Sequence, residues 1–537
     1  MSKNGANLLV SALSAIGVRT IFTLSGNQIM PIFDACIDAD IKLVHVRHEA
    51  AAVYMAEAWA QLNGDIGVAL IAAAPGFANG LSPLYSARAS ESPVLLLSGD
   101  SPLHQDSMGA FQELDQISIS KPLTRFSSRP QTVEQISDDL AKAIRIARSG
   151  RPGPVHLALP FDLLSMEFSP QAGHSNEQFE REIYAPKAQV VEQIANILDS
   201  AQRPVIFTGP MLNKTRAGTM IIALEENLGI PVIPMESPRG LNDPALGNLK
   251  GVLGKADVIL FLGKAVDFTV NFGQPPAFHP SCQFLAIDPE QALLEQAKRA
   301  LNDKLLISHR ADADEATKAL SRYRAQQSHR HEDWRNEITV ACAARPYLAN
   351  PGSSSTAIHP ATLCQSVQRA LESSSNPVLI SDGGEFGQWV QATIAAEKRI
   401  INGLAGAIGG GICYAIAAKI SNPENSVFVL MGDGTAGFHL SEFETAIRHG
   451  AAFVAVIGND SRWNAEYQIQ LREYGSERLS GCELGETRYD QVVSSLGGYG
   501  EFVDKPEQLD AALARAIDSQ LPACINVQIE GLPAPTA

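Results

Sequence analysis

The chain is short of cysteine pairs, of positive charge and of long apolar runs, and each shortage removes a class of protein. Its seven cysteines (Cys36, Cys282, Cys342, Cys364, Cys413, Cys482 and Cys524) are scattered through 537 residues with no Cys-x-x-Cys pair. That spacing offers neither a zinc site nor a redox couple. An odd, dispersed set suits a reducing cytoplasm, with each thiol a small buried apolar residue. Lysine and arginine number 42 against 58 acids, a net charge of −16. Nucleic-acid binding needs a basic footprint, and this balance excludes it. No apolar run approaches the roughly 20 residues that span a bilayer. The nearest, residues 404–420, is glycine-rich and contains Lys419. Leu9, Leu13 and Ile16 recur at helical spacing ahead of Thr20-Ile21-Phe22-Thr23, which reads as an amphipathic helix and a strand rather than a secretory core. The middle third contains no Gly-x-Gly-x-x-Gly, so a Rossmann dinucleotide site there is unsupported.

What is present is a globular composition, 45% apolar and 19% charged, in a chain long enough for about three domains. Short apolar runs alternate with helical segments: Val68–Ile71, Val94–Leu97, Val155–Ala158, Val205–Phe207, Val258–Leu262 and Val427–Leu430. Continuous runs bounded by Gly or Pro suit strands buried on both faces of a parallel sheet. The expected fold class is α/β, with three doubly wound parallel-sheet domains. Two stretches break the alternation, 166–186 (with Pro170 and Gly173) and 345–360 (with Pro346, Pro351, Gly352 and three serines). They read as linkers and cut the chain into blocks 1–165, 187–344 and 358–530. The first and third blocks show no obvious sequence repeat.

The most informative stretch is 432–460: Gly432-Asp433-Gly434-Thr435, a helical segment marked by Leu440, Phe443 and Ile447, the strand Phe453–Ile457, then Gly458-Asn459-Asp460. It brings two carboxylates and a helix N-terminus to one edge of a parallel sheet. A hard divalent cation takes carboxylate, carbonyl and phosphate oxygens, and glycine-flanked N–H groups take an anion. Together they describe a site for a metal-bridged diphosphate. Asp-Gly is also a hairpin turn, but helical periodicity follows here instead of a paired strand. The pattern resembles the thiamine-diphosphate signature, Gly-Asp-Gly followed one βαβ unit later by Asn-Asn. This chain departs from it: Asp460 stands where the second Asn is expected. The departure changes the local charge and leaves a better cation ligand.

The first block strengthens the resemblance. Arg47-His48-Glu49-Ala50-Ala51-Ala52 follows the strand Leu43–Val46. A glutamate there is favoured by the helix dipole alone. The segment also resembles the Arg-x-Glu-x-x-Ala element of the acetolactate synthase group, whose glutamate hydrogen-bonds the coenzyme pyrimidine. The resemblance implies that Glu49 is the catalytic acid, desolvated and with a raised pKa, and that His48 is structural. Pro75-Gly76-Phe77-Ala78-Asn79-Gly80 reads as a turn lining the site, with Gly76 against the coenzyme. Gly109-Ala110-Phe111-Gln112-Glu113 resembles the Phe-Gln-Glu loop of acetolactate synthases, oxalyl-CoA decarboxylases and 2-hydroxyacyl-CoA lyases, which implies that Gln112 faces coenzyme and substrate. Asn27 and Gln28, in Ser25-Gly26-Asn27-Gln28, are substrate-pocket candidates that could equally serve ordinary turn chemistry.

In the third block, Ser381-Asp382-Gly383-Gly384-Glu385 ends a strand. Its position resembles the family's first diphosphate loop, which makes Gly384 and Glu385 coenzyme contacts. In Gly403-Leu404-Ala405-Gly406-Ala407-Ile408-Gly409, glycines permit close backbone approach. The resemblance puts Ile408 in place of the hydrophobe that bends the coenzyme, with the backbone at Gly406 and Ile408 on the pyrimidine edge. The expected Mg²⁺ ligands are Asp433 and Asp460, with the Arg462 carbonyl by resemblance only. Gly432, Gly434 and Thr435 hold diphosphate oxygens, Asn459 orients the loop, and Trp463 and Glu466 are further pocket candidates.

The resemblance implies a thiamine-diphosphate- and Mg²⁺-dependent enzyme. Its first expected activity is decarboxylation of a 2-oxo acid with transfer of the acyl-anion equivalent to an acceptor carbonyl, as in acetolactate synthase. The alternative is a 2-hydroxyacyl-CoA lyase or an oxalyl-CoA decarboxylase. The segment 257–273 looks most like that branch, but only a short Pro-rich tail follows the last strand, Cys524–Ile529, where those relatives close over coenzyme A. An alternative of another class is a non-catalytic regulatory homologue binding nucleotide through the middle block. No residue indicates FAD. The family's active sites lie between subunits, which implies a homodimer or homotetramer.

Overall fold

The computed structural model describes residues 4–168, 176–323, 331–345 and 357–535. Pro170 and Gly173, together with Pro346, Pro351, Gly352 and the serines beside it, lie outside the described residues.

The expected architecture of three parallel α/β sheets is present. The first sheet contains β1 (Thr20–Thr23), β2 (Lys42–His45), β3 (Gly67–Ile71), β4 (Val94–Asp100), β5 (Phe126–Ser128) and β6 (Val155–Pro160), in the order β2-β1-β3-β4-β6-β5. The second contains β7 (Pro204–Thr208), β8 (Val232–Pro234), β9 (Val258–Leu262), β10 (Gln283–Asp288) and β11 (Leu305–Arg310), ordered β11-β10-β9-β7-β8. The third contains β12 (Pro377–Ser381), β13 (Lys398–Ile401), β14 (Ser426–Gly432), β15 (Val454–Asn459), β16 (Tyr499–Val503) and β17 (Ala523–Gln528), ordered β13-β12-β14-β15-β17-β16. The first and third orders are identical when each sheet is numbered from its own first strand. A structural repeat thus exists where the sequence shows none. The central strands read as continuous apolar runs because both faces are covered; β3, β4, β7 and β9 are buried along their whole length.

Two alanine-rich helices join the outer sheets. His48 caps helix Glu49–Asn63, its imidazole accepting from the Ala50 N–H at 3.1 Å, and Gly64 ends it in the left-handed conformation at φ +66°. Small side chains leave both this helix and helix Gly411–Ser421 buried on nearly every face. They pack together with Tyr54 edge-on to Tyr414 at 5.6 Å, inside one apolar core that spans both sheets. Glu57 is sealed in that contact. It accepts from Tyr414 Oη at 2.9 Å, Ser90 Oγ at 2.6 Å and Ser86 Oγ at 3.2 Å, and burial pushes its carboxyl up.

Two local expectations change. Pro75–Asn79 is a short helix, not a turn, begun by proline at its first position after Ala74 at φ +46°. The helix after Gly432 is broken: Asp433–Ala436 makes a single turn, Gly437–Ser441 intervenes, and Glu442–Arg448 resumes. Glycine at 437 cannot sustain the run that Leu440, Phe443 and Ile447 suggest. Among the described residues, no helix is long and apolar enough to cross a membrane.

Candidate active site

In a doubly wound sheet, ligands gather beyond the carboxyl ends of the strands where the order reverses. In the first sheet that point lies between β1 and β3, in the third between β12 and β14. The sequence-predicted residues fall on these two edges. The loops after β1 and β3 abut so closely that a Cβ on Gly26 would lie 2.4 Å from the Ala72 Cβ. After β12 and β14, a Cβ on Gly384 would lie 3.8 Å from Thr435 Oγ1.

On the first edge, the Glu49 carboxylate accepts from Asn79 Nδ2 at 2.9 Å. A Cβ on Gly76 would sit 3.2 Å from Glu49 Oε1, so glycine there lets the helix Pro75–Asn79 approach the acid. Glu49 is half-buried in the single chain; complete desolvation needs a further surface. Gln28 is buried and its Nε2 donates to Gln112 Oε1 at 2.6 Å. Gln112 stands at φ +60°, in a loop braced by the Glu113 carboxylate, which accepts from the N–H groups of Ser107, Gly109 and Ala110 at 2.6–3.0 Å. Those bonds hold the Glu113 carboxyl below its usual range. Asn27 is exposed.

On the third edge, the hub is Asp382, which the sequence reading did not single out. Its carboxylate accepts from Gly383 N–H (2.9 Å), Asn402 Nδ2 (2.7 Å), Gly409 N–H (3.1 Å) and Gly411 N–H (2.7 Å). One buried acid thereby folds the glycine loop back over the end of β12. Burial raises its carboxyl, opposed by these donors. The only sequence signal was an aspartate preceding two glycines. Ile408 is half-buried between Gly406 at φ +62° and Gly409 at φ +94°. Its Cγ2 would lie 2.6 Å from a Cβ on Gly383, so that glycine is the seat on which Ile408 rests. Open space lies beside Gly406 and Gly432, where a Cβ would meet nothing within 4 Å. Gly434 is different: a Cβ there would meet the Trp463 indole at 2.7 Å, so it serves the packing of Trp463, which stands edge-on to Phe438 at 6.3 Å.

Asp433 and Asp460 directly follow β14 and β15, close enough that the charge of Asp433 acts on Asp460. Asp433 is 1% exposed and its Oδ2 is buried without a partner. Such an atom is costly unless something charged meets it, and a divalent cation fits that need. Burial lifts both carboxyls, and the Asp433 charge lifts Asp460 further. Asn459 turns away from the pair: its Nδ2 donates to Thr487 O (3.2 Å) and Asn526 Oδ1 (3.1 Å), and its Oδ1 accepts from Ser461 N–H (3.1 Å). The Arg462 guanidinium lies over the Tyr467 ring at 4.4 Å.

Glu385 is held within the chain. Its Oε1 accepts from the Ala534 N–H at 2.6 Å and its Oε2 from Gln388 Nε2 at 2.9 Å. The segment after β17 crosses the third sheet's edge here, received also by Asn464 Nδ2 on Leu532 O (3.3 Å) and Gln468 Nε2 on Gly531 O (3.1 Å). A Cβ on Gly531 would lie 3.6 Å from Asp460 Oδ2. Glu466 is exposed.

Beyond the carboxyl ends of β9 and β10, a side chain of the first domain enters the middle domain. Arg151, from the first domain, donates to Gly263 O at 2.9 Å and to both Asp288 oxygens at 3.1 Å, and pairs with Glu91. Glu91 in turn accepts from the Met211 N–H at 3.1 Å.

The fold is that of an α/β protein whose first and third sheets are wound alike and present matched switch-point edges. Family models name a coenzyme. Residues 3–119 match the thiamine pyrophosphate enzyme N-terminal TPP binding domain, 191–303 the central domain and 382–527 the C-terminal TPP binding domain. Acetolactate synthase large subunit IlvG of Mycobacterium tuberculosis (strain ATCC 25618 / H37Rv) is 31% identical over 537 residues, covering 98% of this chain and 95% of the relative. The 2-hydroxyacyl-CoA lyase 2 proteins of Danio rerio and Homo sapiens are 28% and 29% identical over 554 residues, each covering 94% of this chain and 87% and 86% of the relative. The chain belongs to the thiamine pyrophosphate enzyme family, and is accordingly an enzyme acting on a small-molecule substrate.

Proposed function

We propose that this enzyme decarboxylates a 2-oxo acid and joins the remaining acyl unit to an acceptor carbonyl, in the manner of an acetolactate synthase, with thiamine diphosphate and Mg²⁺ in a reducing cytoplasm. One observation carries the reading: two like-wound sheets offer their switch-point edges, one with Glu49, the other with the Asp433–Asp460 pair below a glycine loop. Thiamine diphosphate, when bound, supplies a nucleophilic carbon and an electron sink. The residues do the rest. Asp433 and Asp460 hold the cation, with the Arg462 carbonyl as a further ligand. Gly384, Gly432, Gly434 and Thr435 line the diphosphate. Ile408 and the backbone of Gly406 would receive the coenzyme, and Glu49, beside Gly76, would hold a proton at its carboxyl. Gln112, positioned by Gln28, faces the substrate, and Asn27, Trp463 and Glu466 belong to the surrounding pocket. Glu385 acts on the coenzyme only indirectly, by holding the segment over the metal edge. A homodimer or homotetramer covers the half-buried Glu49, with the active site between subunits and the blocks 1–165, 187–344 and 358–530 as the three domains.

The test is a screen of 2-oxo acids, singly and in pairs, for CO₂ and new C–C products with both cofactors present. Glu49→Gln is expected to abolish turnover, at least about 100-fold, while leaving coenzyme binding by calorimetry within a few-fold. Turnover that survives the substitution removes Glu49 from the mechanism. The 2-hydroxyacyl-CoA lyase relatives favour a second reading; cleavage of acyl-CoA substrates without CO₂ release from any 2-oxo acid would reverse the order.

A further inference from the structure

We infer that His439 is a positioning residue: it clamps the carbonyl of Gly409 and so fixes the loop that carries Ile408. The inference rests on the reading of Ile408 as a residue that receives the coenzyme.

The broken helix after β14 is where it starts. Between Asp433–Ala436 and Glu442–Arg448 the chain leaves helical geometry, yet the break is tied at both ends. The Phe438 N–H donates to Thr435 O at 3.2 Å, and the Glu442 N–H to His439 O at 3.0 Å. Held in this way, two neighbouring side chains meet the glycine loop at one residue. A Cβ on Gly409 would lie 2.6 Å from the Phe438 Cβ, so Phe438 rests on a bare α-carbon. His439 is buried, with Nδ1 at 2.6 Å from Gly409 O. A carbonyl oxygen only accepts, so Nδ1 carries the proton. Burial holds the imidazole below its ordinary pKa, which keeps it neutral near pH 7 with Nδ1 as its one donor. Tyr54 and His48 stand edge-on to the ring at 5.7 and 5.9 Å.

Asp382 holds the same glycine from the other side, accepting from its N–H at 3.1 Å. The two peptide units that follow Ile408 are therefore both pinned, the first by Asp382 and the second by His439. Gly409 lies between them at φ +94°, a conformation that suits glycine. It is buried, so without the imidazole its carbonyl has lost a partner that water cannot readily replace. The same stretch also reaches the first edge. The Glu442 carboxylate accepts from the Arg47 N–H at 3.0 Å, just ahead of His48 and the helix that begins at Glu49. Residues 438–442 thus set the Ile408 loop in register with the entrance to the Glu49 helix, which gives the break in the helix a purpose.

The experiment uses the full-length protein as wild type, His439→Leu, His439→Asn and His439→Gln. The asparagine amide nitrogen falls where Nδ1 was and the glutamine nitrogen where Nε2 was, so only asparagine keeps a donor at the carbonyl. Hydrogen exchange of residues 403–411 is followed by mass spectrometry on the coenzyme-free protein. Thiamine diphosphate affinity is measured by calorimetry with Mg²⁺ present. Exchange is expected to be about 10-fold faster in His439→Leu and His439→Gln and within about 2-fold of wild type in His439→Asn. Coenzyme affinity should follow the same order, about 10-fold weaker in the first two. Unchanged exchange in His439→Leu, or exchange in His439→Asn as fast as in His439→Gln, overturns the clamp. If His439→Leu does not fold, by circular dichroism, the asparagine and glutamine pair decides. Loosened exchange with equal coenzyme affinity in all four proteins overturns the positioning role. A wild type that takes up no thiamine diphosphate counts against the coenzyme reading of Ile408, and the exchange order still judges the clamp.

Discussion

At the scale of single residues, most of the chemistry depends on who holds whom. Gln28 fixes the amide of Gln112, at a backbone conformation that a non-glycine residue adopts reluctantly. Gln28→Met removes the bond without removing bulk and is expected to lower kcat/KM about 10-fold. In a double-mutant cycle with Gln112→Met the two losses should fall short of adding, by about 1 kcal/mol; full additivity would mean that the pair does not act as a unit. Glu57 gives a prediction of a different kind. Its folded pKa is raised by burial above the roughly 4.3 of unfolded glutamate. The stability it leaves intact at low pH is therefore lost as pH climbs from that value through the folded pKa, because the folded state must then ionise a sealed acid. Glu57→Gln cannot ionise. Between about pH 4 and pH 8 its melting temperature should fall less than that of wild type, and parallel melting curves would contradict the assignment. Neither relation was visible in the sequence: Gln28 and Gln112 are far apart along the chain, and Glu57 looks like one more helix acid until Tyr414, Ser86 and Ser90 are seen around it.

At the scale of elements, strands were legible and their ends were not. β9 spans the same residues as the apolar run Val258–Leu262, since a strand covered on both faces must be apolar throughout. The short helix at Pro75 and the break at Gly437–Ser441 depend on capping and packing that periodicity does not encode. The glycine loop 403–411 was recognisable by composition, but its shape is set by Asp382, a contact across the end of β12. The seat of Ile408 gives a direct test. Gly383→Ala places a methyl 2.6 Å from the Ile408 Cγ2, so Ile408 must move. Thiamine diphosphate affinity is expected to fall about 10-fold with the fold intact by circular dichroism; unchanged affinity would remove Ile408 as the prop. The segment after β17 was read as a short tail, yet Glu385, Asn464 and Gln468 bind it across the third sheet's edge.

At the scale of the whole molecule, the domains are joined by buried polar contacts as well as by apolar packing. Arg151 is enclosed with Glu91 and Asp288 at the junction of the first and middle domains. Replacing it by Met leaves two buried carboxylates unpaired, and the expected loss of unfolding free energy is about 3–5 kcal/mol, read from denaturant midpoints. A loss below 1 kcal/mol, on the order of a surface pair, would show that the junction does not depend on this cluster. Composition and the apolar runs were enough to determine the α/β class and the three sheets, because these follow from local burial; the motifs around Glu49, Asp433 and Asp460 carried the resemblance to the thiamine diphosphate family. Tertiary structure alone decided that the first and third sheets are wound alike, that Asp382 shapes the glycine loop, that Glu385 faces the C-terminal segment and that Arg151 is enclosed with Glu91 and Asp288. Each of these is a contact between distant segments, and a one-dimensional pattern has no term for it.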